Sequence, residues 1–159
     1  MSVLARSAVP GVPSETTDLP ASELAKDAPI PELASKLGAW GYQGGRQRTF
    51  QGQSRRLTLV VSRSLAFDDH LGASAFATFV RANAPMYFGT GVEVHPLVTR
   101  NRSGWEFVPP ACACHMANPE EVGVVVAGSA ASWLEIDGPD ATKPLLVRLL
   151  DPRRNVAIP

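Results

Sequence analysis

Residues 56–64 read Arg-Leu-Thr-Leu-Val-Val-Ser-Arg-Ser, and this stretch decides the fold class. Extended, it puts Leu57, Leu59 and Val61 on one side and Thr58, Val60 and Ser62 on the other, the two-residue period of a strand. Immediately before it, Gln51–Arg55 reads as a hairpin loop, and residues 43–51, bounded by Gly44–Gly45 and Gly52, read as the partner strand. A link this short forces antiparallel pairing.

Working outward from this hairpin, Asp68 or Asp69 caps a helix running to about Asn83, with Leu71, Ala75, Phe76, Phe79 and Val80 as its apolar stripe. Asn83–Ala84–Pro85 stops it. Residues 92–98 alternate Val92, Val94 and Pro96 against Glu93, His95 and Leu97. After the turn Asn101–Gly104, Trp105 and Phe107 alternate with Glu106 and Val108, giving a second hairpin. Residues 122–127 are almost continuously apolar and read as a central strand, and Gly128–Ala131 turns the chain into another at 132–137. A last helix, capped by Asp140 and tolerating Pro144 in its first turn, packs Leu145, Leu146, Leu149 and Leu150 and ends at Asp151–Pro152. Upstream, Pro31 opens a short helix over Glu32–Leu37, with Leu33, Leu37 and Trp40 on one face. The predicted order is α-β-β-α-β-β-β-β-α: an α+β fold, a six-stranded antiparallel sheet with helices packed on its faces.

Residues 1–29 read differently. Pro10, Pro13, Pro20 and Pro29 interrupt a segment whose apolar residues have no period. They are expected to form a flexible or docking tail, with residues 30–159 as one domain. The 159 residues suit one domain with one core. Fifteen basic and fifteen acidic residues give no net charge, which argues against a globally basic nucleic-acid binder. No apolar run is long enough for a membrane helix, and residues 2–13 lack the pattern of an export signal.

The opening helix, the hairpin GYQGGRQRTFQGQSRRLTLVVSRSLAF over residues 41–67 and the helix DDHLGASAFATFVRA over 68–82 together resemble secreted domains and lipoproteins of actinobacteria with a PsbP-like fold. That resemblance implies an α+β domain outside the cytoplasm, extracellular or in the cell envelope, in a group where many members have no known activity. The chain lacks the N-terminal lipobox cysteine of the lipoproteins, so a lipid anchor is not expected for it. A cytoplasmic protein is the alternative.

Two local features carry chemistry. Between residues 33 and 67 stand Lys36, Arg46, Arg48, Arg55, Arg56 and Arg63 and no acid. Arg46 and Arg48 share one strand face and Arg55–Arg56 sit at the hairpin tip, so Arg46, Arg48, Arg55 and Arg56 are the expected contacts to a protein partner or an anionic surface. The bland alternative is a charged edge that resists sheet-to-sheet aggregation. Few aromatic residues are interleaved, which speaks against nucleic acid. The second feature is Cys112-Ala113-Cys114-His115-Met116, between Pro109–Pro110 and Asn118–Pro119. The cysteines could form a disulfide if the chain bends, bind copper or zinc together with His115, or remain ordinary reduced residues.

Other candidates are better explained structurally: Asp68, Asp69 and His70 by helix capping, Glu120–Glu121 by a solvated turn, and Trp40, Trp105 and Trp133 by the core. No catalytic constellation is visible. The expected function is a non-enzymatic binding or assembly module without a cofactor; the alternative is a soft-metal or redox protein built on Cys112, Cys114 and His115. Open sheet edges would also allow a homo-oligomer.

Overall fold

The computed structural model describes residues 3–9, 12–51, 57–111 and 120–151. One antiparallel sheet of seven strands organises them: β1 (Ser14–Leu19), β2 (Tyr42–Gln51), β3 (Leu59–Phe67), β4 (Glu93–Thr99), β5 (Arg102–Val108), β6 (Glu120–Ala127) and β7 (Ala130–Asp137). The helices are α1 (Ala21–Leu24), α2 (Leu33–Ala39), α3 (His70–Ala82), α4 (Ala84–Phe88) and α5 (Lys143–Leu150). Across the sheet the order is β1-β2-β3-β7-β6-β5-β4. From β3 the chain passes through α3 and α4 to the far edge, then winds back through β4, β5 and β6 until β7 pairs with β3.

The α+β class and the antiparallel sheet hold, and the strand count rises from six to seven. The additional strand is β1, Ser-Glu-Thr-Thr-Asp-Leu, which pairs with β2 along its whole length. Its sequence carries no strand pattern because only Leu19 is buried; an edge strand open to water needs no apolar alternation. The residues after it also belong to the body of the fold: Leu24, Ala28 and Ile30 are core residues.

The core lies on both faces of the sheet. On the first, Leu33 and Leu37 of α2 and Phe76 and Val80 of α3 meet Leu65, Phe67, Phe107, Val122, Val124 and Trp133. Trp40 meets Phe79 edge-on, ring centroids 5.3 Å apart, as ring quadrupoles favour. The second face is narrower: α5 places Leu145, Leu146, Leu149 and Leu150 against Leu97, Val125, Leu134 and Ile136. Close approach there depends on Gly123. A Cβ at that position would stand 2.9 Å from Leu150 and 3.1 Å from Leu97.

Several local expectations are corrected. Leu57 precedes the β3 ladder and packs in the same cluster as Val60, not on the side of Val61. The buried face of α3 is Gly72, Ala73, Phe76, Ala77 and Val80, whereas Leu71 is 74% exposed. The reason is that α3 begins against the end of α2: a Cβ on Gly72 would lie 2.0 Å from the Trp40 carbonyl oxygen, so glycine faces inward and Leu71 outward. Asp69 caps α3 as expected, accepting from the Gly72 N–H at 2.8 Å. Pro85 ends α3 but also starts α4 at its first turn. Thr142, not Asp140, is the N-cap position of α5. Glu120 and Glu121 are half-buried strand residues rather than a solvated turn.

Candidate functional site

Strand register sets the site. One row across the second face runs Asp18–Arg46–Ser64–Ser132, and the next runs Thr16–Arg48–Ser62–Leu134. β3 and β7 are central strands, where an inward face is ordinarily apolar. Here their positions beside α5 carry Ser62, Ser64 and Ser132. Helix α5 covers β6 and β7 but not β2. The uncovered part is a cavity of about 970 Å³ with Gly44, Ser62, Ser64, Ala66 and Ser132 among its lining residues.

Arginines stand on two sides of this cavity. Arg46 and Arg48 come from β2. Arg102 comes from the start of β5, three strand spacings beyond β3, and reaches back so that its Nη1 lies 3.4 Å from Ser132 Oγ and donates to the Leu150 carbonyl at 3.0 Å. Burial pulls the Arg102 guanidinium below its ordinary value, and the negative charge of Asp151 opposes that. Arg48 donates from Nε to Thr16 Oγ1 at 2.8 Å and from Nη1 to the Leu4 carbonyl. Arg46 meets Asp18 at 3.4 Å with both side chains mostly in water, a weak contact. Thus the hydrogen bonds described for Arg48 go to neutral oxygens, whereas Arg102 also feels the charge of Asp151, and all three arginines line the cavity.

The basic stretch of the sequence is therefore divided. Arg46 and Arg48 share the cleft, as the strand period implied. Arg63 is on the opposite face, where it donates to Asp27 from both terminal nitrogens, Nη1 and Nη2 (2.5 and 3.3 Å), donates from Nε to Gln47 Oε1 at 2.7 Å and lies 5.0 Å over the Trp133 ring. Burial raises Asp27 above the usual carboxylate range in spite of Arg63. Arg63 thus supports the fold. Lys36 lies over the Phe79 ring, away from the cleft. Arg55 and Arg56 lie outside the described residues, as do Cys112, Cys114 and His115. Sequence reasoning missed Arg102, Ser62, Ser64 and Ser132 as site residues; the available signal was the run of serines inside strands that the core would otherwise fill.

A carboxylate pair occupies another part of the same face. Glu106 is buried and takes a hydrogen bond from Lys143 Nζ. Glu121 is pushed up to about 7, first by burial and then by the charge of Glu106. Neither lines the cavity, whose acids among the described residues are Asp18 and Asp151. His70 is bound to its own helix and to the β6–β7 turn, with Nδ1 3.1 Å from the Gly128 carbonyl and Nε2 3.2 Å from Ser74 Oγ. Among the described residues no three histidine, cysteine or acidic side chains come together as a metal site, and no helix is long and apolar enough to cross a membrane.

No protein-family model and no curated protein matches the chain. Among solved structures, the extracellular domain of PknH from Mycobacterium tuberculosis is similar over 94% of this chain and 78% of its own, with 12% identity and a TM-score of 0.41. So distant a likeness says nothing about function.

Proposed function

We propose that the protein is a non-enzymatic binding module that receives an acidic group of a protein partner in the cleft between Arg46, Arg48 and Arg102. One observation supports the reading above all: three arginines converge from two sides on a cavity lined by serines, and the hydrogen bonds described for Arg48 go to neutral oxygens. A carboxylate entering there gains charge-assisted hydrogen bonds, and the serines can donate to its remaining lone pairs. Export to the cell envelope or beyond belongs to this proposal through the sequence resemblance alone.

Titration calorimetry with a ten-residue glutamate peptide and its lysine counterpart tests the proposal. The glutamate peptide should bind, more weakly as salt rises, and Arg46→Gln and Arg102→Gln should each cost roughly tenfold in affinity, the worth of one charge-assisted bond. Equal binding of both peptides, or affinity untouched by either substitution, would remove the cleft from the account. Capture by anionic vesicles without peptide binding would replace the protein partner by a membrane surface.

A further inference from the structure

Residues 3–9 run along the same cleft. The Leu4 N–H donates to Ser62 Oγ at 3.0 Å, and the Leu4 carbonyl accepts from Arg48 Nη1. Both backbone polar groups of this one residue are therefore satisfied by cleft side chains. Behind it, Val9 is buried against the α5 side of the core, and Leu4 and Val12 pack on the same cluster. Between them the segment makes a single 3₁₀ turn, Arg6–Ala8. Val3, Leu4, Ala5 and Ala8 consequently form one wall of the cavity.

This segment brings no negative charge to the cleft. Arg48 spends its guanidinium on a carbonyl and a threonine hydroxyl, although its planar fork suits a carboxylate, which can accept two parallel bonds and brings the opposite charge. Arg46 and Arg102 are left facing the open part of the cavity. The cleft thus already holds a short piece of peptide, and the piece it holds is a poor match in charge.

We infer that residues 3–9 are a tethered occupant of the cleft, holding Ser62 and Arg48 until an acidic peptide of the partner takes their place. The inference rests on the acid-binding reading above and adds the form of the ligand and its competitor. A partner peptide would lie in the cleft as residues 3–5 do, with its backbone on Ser62 and an acidic side chain turned to Arg48 and Arg102. Because the occupant is joined to the fold by a few residues, it competes at high effective concentration, and the apparent affinity for the partner falls by the fraction of molecules in which the cleft is free.

The experiment uses the full chain and a fluorescein-labelled peptide, Val-Leu-Glu-Glu-Ser-Ala, read by anisotropy and by hydrogen exchange. Leu4→Pro removes the N–H that Ser62 accepts, and Val9→Ala loosens the packing of the segment; both leave the cleft side chains intact. Each should tighten peptide binding about three- to tenfold, and the peptide should speed exchange at the Leu4 amide in the unaltered chain. Equal affinity for all three chains, with exchange at Leu4 unchanged, would overturn the tethered occupant and leave acid binding standing. Absence of binding to every chain would overturn both. Binding indifferent to Arg48→Gln would overturn the site assigned to the acidic side chain.

Discussion

Ser64 and Leu65 are neighbours on β3, and Ser132 and Trp133 are neighbours on β7. Leu65 and Trp133 belong to a buried cluster that also takes in residues of four helices. Ser64 and Ser132, one residue away, line an open cleft. The difference lies in what covers each face. On the first, α1 to α4 carry aromatic and aliphatic side chains across the sheet; on the second, one eight-residue helix covers β6 and β7 and leaves β2 and part of β3 to the arginines and residues 3–9. Because successive strand residues face opposite ways, the same strands can supply a dense core and a polar site without compromise between them.

That contrast can be broken most directly at Phe76, which is fully buried. Phe76→Ala should cost about 3–5 kcal/mol in urea unfolding. A loss below about 1 kcal/mol would mean that the helix-covered face does not carry the fold. Next in size is the Asp27–Arg63 pair, with side-chain exposures of 19% and 12%. Arg63→Met should destabilise by about 3 kcal/mol by stranding a half-buried carboxylate, and adding Asp27→Asn should recover part of the loss. Additive losses from the two changes would show that the pair is not coupled.

A smaller effect compares the faces through adjacent residues. Glu120 and Glu121 are each pushed up to about 7, by burial first, then by Glu135 and Asp137 for Glu120 and by Glu106 for Glu121. A carboxyl whose folded value is raised binds its proton more tightly when folded, so the stability it contributes is present below pH 4.5 and is lost as the pH climbs through about 7. Unfolding midpoints should therefore fall between pH 5 and pH 7.5, with Glu120→Gln and Glu121→Gln each flattening part of the slope. An unchanged slope in Glu121→Gln would place its proton affinity elsewhere. Smallest is Ser64→Ala, expected to alter stability by less than about 0.5 kcal/mol while weakening glutamate-peptide binding severalfold. A large stability loss there would make the cleft lining structural.

Six strands were legible because Leu, Val and aromatic residues alternate wherever one face is buried and run together where both are, as in β6. β1 was not legible: at an edge, Glu15, Thr16 and Thr17 stay exposed, and their place in the sheet is decided by backbone pairing with β2. Two of the site's three arginines were readable by the same rule, since Arg46 and Arg48 are two apart on one strand. Arg102 was not. Its place in one cleft with Arg46 and Arg48 requires β7 to pair with β3, and no local pattern records that long-range pairing. The split of Arg63 from its neighbours has the same origin: strand parity assigns its face, but Asp27, which engages it there, lies in a stretch that read as tail.

The position of β7 has a consequence for the order of events when the chain is made. Among the described strands it is the last in chain order, and it is the middle one of the sheet. Until residue 137 is available, β1–β2–β3 and β4–β5–β6 are two separate half-sheets, and the open edges of β3 and β6 expose backbone groups beside Val60, Val61, Val124 and Val125. Such edges invite pairing with other chains. Synthesis from the N-terminus cannot close this sheet gradually; closure awaits one late segment, and a nascent chain stalled before Ala130 holds two sticky halves in place of a partial fold.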